Sequence, residues 1–252
     1  MSRLAEATAA GAPSAGSGAG RPRVGAALQG VALAVGLALL VGGFALVALD
    51  YRPYRVPTAS MTPTIGVGDT VLARKVSGGS VGRGDIVVFQ DPAWGSATLV
   101  KRVVAVGGDT VACSGPGGRL TINGTPVDEP YLASGGAEGQ AAFTAKVPAG
   151  RLFLLGDSRV GSLDSRAHLD VDAGTVPASD VLARVEAIAW PSDQAKLLRR
   201  TSAFDGLGGP VAGRPGPLVP ATWASVSGAV LIVLISLTGP VAALARRIRR
   251  RS

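Results

Sequence analysis

Two long apolar stretches flank a more polar middle section, and this arrangement limits the folds that the 252-residue chain can adopt. The first stretch covers residues 24–49 and the second covers residues 221–245, and neither contains a charged side chain. Each is longer than the ~20 residues that a helix needs to cross the ~30 Å hydrocarbon core of a lipid bilayer. We therefore predict two transmembrane helices on either side of a folded domain at residues 50–195.

Each apolar stretch has an alternative interpretation. As a cleaved signal peptide, the first stretch would be unusually long, and no clean cleavage site of the small-x-small type follows it before Asp50. As a buried helix of a soluble domain, the second stretch would not explain the arginine block that follows it. We favour two membrane spans, with a kink at Gly239-Pro240 in the second, where neighbouring helices can satisfy the freed carbonyl group.

The net charge of +8 is concentrated at the two ends of the chain. Residues 1–49 have a small basic excess, and five arginines lie within residues 246–252. The middle of the chain is almost neutral, so we expect no groove for a polyanion and no nucleic-acid partner. Basic flanks mark the cytoplasmic side of membrane spans. We therefore expect a two-span protein of the cell membrane, with both termini cytoplasmic and the folded domain outside the cytoplasm.

Three further segments are assigned from composition. Residues 1–23 consist mainly of Ala, Gly, Ser, Pro and Arg, which cannot form an apolar core, and we predict a disordered cytoplasmic tail. Residues 246–252 are predicted to be a basic cytoplasmic tail. Residues 196–220 are rich in Gly, Pro and Arg, and we predict that they form a linker to the second span.

The chain contains one cysteine, Cys113, and one histidine, His168. A disulfide within the chain is therefore excluded, as are a cysteine-rich zinc site and a two-histidine metal site. We predict that the protein uses no cofactor and no metal ion.

The middle section contains short runs of branched apolar residues separated by Gly, Asp and Pro, a pattern typical of β-strands joined by turns. Such runs occur at residues 71–76, 85–89, 98–106, 119–122, 151–155 and 181–190. Asn123-Gly124 separates two more short runs and favours a two-residue hairpin turn. Because no helical pattern separates the strands, the expected fold class is mainly β: an antiparallel sheet or barrel-like domain outside the cytoplasm, flanked by two transmembrane helices.

Lys101 occupies an unusual position within the predicted strand at residues 98–106. Alternation along a strand places it on the same face as Leu99 and Val103, which are both apolar. Such a lysine either extends its amine to the edge of the apolar surface or lies partly buried with a lowered pKa. A neutral amine near neutral pH can act as a general base, and a serine hydroxyl needs such a base before it becomes a good nucleophile.

Three segments together resemble the bacterial type I signal peptidases, the serine–lysine proteases of protein export. The first is Ser-Met-Thr-Pro-Thr at residues 60–64, and the second is a Lys-Arg pair at residues 101–102 followed by Gly-Asp. The third is Gly-Asp-Ser-Arg-Val-Gly-Ser-Leu-Asp-Ser-Arg at residues 156–166. The resemblance covers about residues 50–190 in matching order. A second span with a cytoplasmic end occurs in some high-GC Gram-positive relatives.

The resemblance assigns catalytic roles to matching positions. It implies that Ser60 is the nucleophile and that Lys101 is the general base. The Thr58 hydroxyl would complete the oxyanion hole together with the Ser60 backbone N–H. Ser162 would bind and orient the lysine amine.

Supporting roles follow from the same resemblance. Asp164 and Arg166 would form an ion pair near the site, and Asp157 belongs to the same motif. Residues 160–161 are Val-Gly where Asp-Asn is often found, and the connection at residues 167–176 is longer than usual. The local loop structure therefore stays open.

The function implied by the resemblance is that of a membrane-bound serine endopeptidase. It would remove N-terminal signal peptides from exported preproteins and cleave after small residues of the Ala-x-Ala type. Its partners would be those signal peptides and the lipid bilayer, close to the export translocon.

Other classes remain to be compared with this hypothesis. A Ser-His-Asp triad would use His168, with Asp164 or Asp170 nearby in sequence, but it leaves the position of Lys101 unexplained. A sortase-like transpeptidase would use Cys113, although the histidine should then precede the cysteine. Self-cleaving repressors share serine–lysine chemistry but lack two membrane spans. A membrane-tethered β module without catalytic activity is the non-enzymatic alternative.

Overall fold

The computed structural model describes residues 21–133, 136 and 141–250. The chain divides into two compact units, one that contains most of two long helices and one that spans Ala45–Val219. The parts of the predicted tails at residues 1–20 and 251–252 lie outside the described residues.

Helix α1 covers Arg21–Asp50 and helix α2 covers Leu218–Arg249. Both extend beyond the predicted spans and include residues that we assigned to the flanking tails, because arginine is a good helix former and lets a helix continue past its apolar part. Pro240 lies inside α2. The segments Gly25–Asp50 and Leu218–Val241, with mean hydropathies of 2.6 and 2.1, are long and apolar enough to cross a membrane.

Small residues allow α1 and α2 to approach each other closely. A Cβ atom added to Gly43 would lie 2.4 Å from the carbonyl oxygen of Ala221, and one added to Gly228 would lie 2.4 Å from the carbonyl oxygen of Gly36. The Ser225 hydroxyl also donates a hydrogen bond to a carbonyl of α1, at 3.3 Å. Close backbone approach at small residues is typical of helices that associate inside a membrane.

Substitution of Gly43 by valine is expected to separate the two helices, because the new side chain overlaps the backbone of α2. Overpacking of this kind costs roughly 1–3 kcal/mol. Cysteines in place of Leu40 and Ser225, in a Cys113→Ala background, would report the contact as disulfide formation under mild oxidation. Gly42→Val is the matched control, since a Cβ at Gly42 meets nothing within 4 Å. Equal disulfide yields in both valine variants would contradict the helix contact.

The unit Ala45–Val219 is mainly antiparallel β, as the sequence predicts. Within the described residues its strands are β1 (Tyr51–Arg55), β2 (Thr70–Lys75), β3 (Ile86–Phe89), β4 (Leu99–Val106), β5 (Thr110–Cys113), β6 (Leu120–Ile122), β7 (Thr125–Pro126), β8 (Phe143–Lys146), β9 (Arg151–Leu155), β10 (Val176–Pro177), β11 (Val181–Trp190) and β12 (Lys196–Leu197). The larger sheet has the order β1-β2-β11-β3-β4-β9-β10, with β12 paired to β11. The smaller sheet has the order β7-β6-β5-β8.

The predicted hairpin at Asn123-Gly124 is confirmed. It joins β6 to β7, and Ile122 pairs with Thr125 across the turn. Asn123 and Gly124 have φ values of +53° and +80°. Positive φ at both central residues is what a two-residue turn of this kind requires, and Asn-Gly meets that requirement at low cost.

The segment predicted as a linker lies against the β unit. Its start forms β12, which pairs Leu197 with Ala187 of β11. Residues 210–218, which we call the strap, are held by hydrogen bonds along their length. These bonds are Arg83 N–H to the Pro210 carbonyl (3.1 Å), Ala212 N–H to the Arg83 carbonyl (2.7 Å), Arg184 Nη2 to the Arg214 carbonyl (2.7 Å), Gly216 N–H to Glu186 Oε2 (3.0 Å) and Leu218 N–H to the Tyr51 hydroxyl (3.1 Å).

Candidate active site

Ser60 and Lys101 meet in the described structure, although 41 positions separate them in the sequence. Ser60 lies on a short 3₁₀ turn, Ala59–Met61, and Met61 anchors this turn in an apolar cluster. Lys101 lies on β4, which is paired on both sides, by β3 and by β9. The Lys101 Nζ donates a hydrogen bond to Ser60 Oγ at 3.0 Å, and both side chains are buried.

The predicted strand face of Lys101 is confirmed. Leu99 and Val103 pack in one apolar cluster together with Val87, which lies directly across from Lys101 in the β3–β4 pair. Only 3% of Lys101 is exposed, so its ammonium form would lose most of its hydration. Burial lowers the pKa of Lys101 below its usual value, while the negative charges of Asp164 and Asp157 act in the opposite direction. The net result is a pKa below the usual value, which increases the neutral fraction of the amine beside the serine hydroxyl at any given pH.

Asp157 supports the strand that carries the lysine. It accepts two hydrogen bonds from Arg102, the neighbour of Lys101, at 2.8 and 2.6 Å. It also accepts a hydrogen bond from the Thr64 hydroxyl at 2.5 Å. The backbone N–H of Ser158 donates to the Ser60 carbonyl at 3.1 Å. The loop that follows β9 is therefore joined both to β4 and to the turn of the predicted nucleophile.

The Asp164–Arg166 ion pair predicted from the sequence is present, with contacts of 2.8 and 2.7 Å. Asp164 is fully buried and also accepts from the Gly156 N–H at 3.0 Å. Arg166 donates onward to the Arg159 carbonyl at 2.8 Å. This pair joins the two ends of the loop at residues 156–166, which fixes the loop beside Ser60 and Lys101.

Two other predicted site residues have less complete contacts. The Thr58 hydroxyl lies 3.2 Å from Ser60 Oγ, at the exposed side of the turn. Ser162 packs beside Gly156. A Cβ atom added to Gly156 would lie 2.2 Å from the Ser162 hydroxyl oxygen and 2.5 Å from the Ser60 carbonyl oxygen. The Ser162 hydroxyl is buried without a hydrogen-bond partner among the described residues, so a bond from it to the Lys101 amine is not formed here.

A further buried ion pair, between Arg159 and Glu129, was not predicted from the sequence. Arg159 forms a two-point contact with Glu129, and Glu129 also accepts from the Tyr131 hydroxyl at 2.5 Å. The Tyr131 ring faces the guanidinium of Arg102, with the Cζ atom 4.0 Å from the ring centroid. Arg102 and Arg159 are therefore each held by an acidic residue and share one aromatic neighbour. The one feature of the sequence that could have indicated this ion pair is the Glu-Pro-Tyr segment at residues 129–131, which combines an acidic and an aromatic side chain.

The side chains considered for the alternative mechanisms, His168 and Cys113, take no part in the contact between Ser60 and Lys101. The His168 ring stacks on Trp94, with centroids 4.2 Å apart, and its Nδ1 atom lies 3.0 Å from the Asp164 carbonyl oxygen. It does not contact Ser60, whose hydroxyl instead has Lys101 and Thr58 as partners in the described structure. Cys113 is buried on β5, in an apolar cluster to which strands of both sheets contribute. Neither residue forms the triad or the cysteine site considered above.

An antiparallel β unit with a serine hydroxyl held by a buried lysine amine is the arrangement of the serine–lysine peptidases. The sequence matches the family described as signal peptidase, peptidase S26, over residues 28–190. The chain therefore belongs to this family and is a membrane-anchored signal peptidase-type enzyme, in agreement with its two apolar helices.

Named relatives support this assignment. The chain is 32% identical to a protein named probable signal peptidase I from Mycobacterium leprae (strain TN), over 62% of this chain and 74% of the relative. It is 34% identical to signal peptidase I from Mycobacterium tuberculosis (strain CDC 1551 / Oshkosh), over 62% of this chain and 70% of the relative. It is also 34% identical to signal peptidase I from Bacillus amyloliquefaciens, over 58% of this chain and 76% of the relative.

The surroundings of Lys101 predict a shift in the pH dependence of activity. A base must be neutral, so the rate should rise with pH through the pKa of Lys101. The carboxylate of Asp164 stabilises the ammonium, and its loss in Asp164→Asn should lower that pKa further. The acidic limb of kcat/KM against pH is expected to move to lower pH, whatever the maximal rate. Asp172→Asn is the control, because Asp172 is exposed and pairs with Arg151. A limb that stays in place, or moves to higher pH, would contradict this electrostatic coupling.

Proposed function

We propose that this protein is a membrane-bound endopeptidase that removes N-terminal signal peptides from exported preproteins, with Ser60 as nucleophile and Lys101 as general base. The observation that carries the proposal is the 3.0 Å hydrogen bond between the buried Lys101 amine and the Ser60 hydroxyl. Burial lowers the pKa of the amine and thereby supplies a base where no histidine is in contact.

The proposed reaction proceeds by acyl transfer. The Lys101 amine takes the hydroxyl proton as Ser60 Oγ attacks the scissile carbonyl carbon, and a tetrahedral oxyanion forms. The resulting ammonium gives its proton to the leaving nitrogen, which becomes the new N-terminus of the mature protein. Water then attacks the acyl-enzyme with the lysine again as base, which releases the signal peptide with a free carboxyl group.

Two hydroxyls complete the proposed site. Thr58 lies within 3.2 Å of Ser60 Oγ, and we assign its hydroxyl to the oxyanion hole together with the Ser60 N–H. The buried Ser162 hydroxyl has no partner among the described residues, which leaves it available to orient the lysine amine during the reaction. Asp157, Asp164 and Arg166 are assigned supporting roles through the contacts of the loop at residues 156–166.

The proposed topology places both termini in the cytoplasm and the β unit outside it, on the basis of the arginines that flank the two apolar segments. A signal peptide also spans the bilayer, so enzyme and substrate would share one plane and meet at a raised effective concentration. We extend the proposal to substrates with small residues of the Ala-x-Ala type and to action near the export translocon.

Removal of either member of the dyad should abolish processing. Ser60→Ala and Lys101→Met are expected to leave a preprotein uncut in a cleavage assay with the full-length membrane-embedded enzyme, because nucleophile and base act as one unit. Cys113→Ala should retain activity, whereas a sortase-like enzyme would lose it. Correct processing by Ser60→Ala or by Lys101→Met would refute the mechanism, provided that thermal unfolding shows each variant to be folded.

The role of Thr58 can be separated from its packing. Thr58→Val keeps the shape of the side chain but removes the hydroxyl, and loss of one oxyanion donor typically lowers the rate by ~10²–10³-fold. Thr58→Ser keeps the hydroxyl and should retain most of the activity. The decrease is expected in kcat with little change in KM, since the bond strengthens in the transition state. Full activity of Thr58→Val would exclude this hydroxyl from the oxyanion hole.

A further inference from the structure

The β unit contains a cavity whose lining includes Thr64, the residue that donates to Asp157. Strands β3 and β11 pair as far as Val87 and Arg184, and beyond that point they separate. The cavity, of about 850 Å³, lies at this separation, between β3, β11, β12 and the strap. Ser60 and Lys101 are not among the residues that line it. Its volume falls in the range of about 300–1,000 Å³ that is usual for ligand pockets.

The walls of this cavity are held in place by polar contacts. Glu186, in its wall, accepts hydrogen bonds from the Tyr51 hydroxyl (2.7 Å), from Arg74 (2.9 Å) and from the Gly216 N–H (3.0 Å). Arg184 binds Glu186 at 3.1 Å and the carbonyl of Arg214 in the strap. Because these contacts fix the strap on β11, the cavity is formed without a ligand.

The unneutralised charge at the cavity is positive. Its two acidic residues, Asp85 and Glu186, both lie beside Arg184. Arg200 pairs with Asp205. Lys196 and Arg199 line the cavity and are exposed, and neither forms an ion pair within the described part of the chain. A ligand with one negative charge would therefore find two cations that have no competing carboxylate.

Apolar side chains lie next to these two cations. Leu197 and Leu198 separate Lys196 from Arg199 along the chain, and Leu197 remains half exposed. Ile86, Val185, Leu218 and Val219 add further apolar surface to the lining. A fitting ligand is therefore amphiphilic, with an anionic group for the two cations and a hydrocarbon part for the leucines.

The position of the cavity along the chain indicates the source of such a ligand. Leu218 and Val219 are the first residues of α2, whose apolar segment begins at Leu218. If α2 spans the bilayer, the amphiphile present at its outer end is a phospholipid. We propose that this cavity binds one anionic phospholipid, with the phosphate between Lys196 and Arg199 and part of an acyl chain against Leu197 and Leu198. The proposal rests on the membrane topology given under the proposed function, but not on catalysis.

Lipid retention by the full-length chain tests the proposal. Native mass spectrometry in a non-ionic detergent would compare added phosphatidylglycerol with phosphatidylcholine, using a Ser60→Ala chain so that peptide cleavage has no influence. We expect phosphatidylglycerol to be retained at least about tenfold more tightly, and Lys196→Gln/Arg199→Gln to lose this preference because two charge-assisted contacts disappear. Arg52→Gln/Arg55→Gln is the matched control, since these exposed cations lie close in sequence to the end of α1 and form no ion pair among the described residues.

The outcomes separate the possible occupants. Loss of the preference only in Lys196→Gln/Arg199→Gln supports the lipid site, and equal loss in both double variants overturns it in favour of general surface charge. Displacement of phosphatidylglycerol by millimolar inorganic phosphate would show a site for the anion alone. Displacement by a soluble signal peptide would show a peptide site. Either result overturns the proposal. Processing by Ser60→Ala would instead refute the proposed function and leave the lipid measurement intact.

Discussion

The central constraint in this structure is that a lysine amine must be kept from water while it contacts a serine hydroxyl. Burying an ammonium costs several kcal/mol, so Lys101 lowers the free energy of unfolding when it is charged, and it is also the proposed base. Its pKa is lowered in the folded chain. The unfolded chain therefore binds the extra proton between the lowered pKa and the usual one, and the free energy of unfolding rises with pH across that window.

The buried ion pairs around the site follow from this constraint. Asp157 and Asp164 both raise the pKa of Lys101, and unpaired carboxylates at these positions would favour the ammonium more strongly. Each carboxylate is instead bound at two points by an arginine, Arg102 or Arg166. The arginines fix the loop at residues 156–166 and offset its negative charge, so the two carboxylates raise the pKa of the amine less than unpaired carboxylates would.

Most of the sheet could be predicted from local patterns in the sequence, whereas the pairing of Ser60 with Lys101 was implied by the family resemblance. Lys101 stood out against its apolar strand neighbours, and Asn-Gly specified the β6–β7 hairpin. Strand β1 escaped prediction because its Pro53 is unusual in a strand, although it is tolerated at the edge that β1 occupies. The Glu129–Arg159 pair spans 30 positions, and no periodicity links the two residues. The docking of residues 210–218 likewise depends on single hydrogen bonds to Tyr51, Arg83, Arg184 and Glu186, which composition does not reveal.

One hydroxyl group joins the two ends of the β unit. Tyr51, the first residue after α1, accepts from the backbone of Leu218, the first residue of α2, and donates to Glu186. The two ends of the β unit, at Tyr51 and Leu218, therefore lie within one hydrogen bond of each other. The first residues of α2 consequently belong to the β unit: truncation before Leu218 removes a partner of the buried Tyr51 hydroxyl and two residues of the cavity wall.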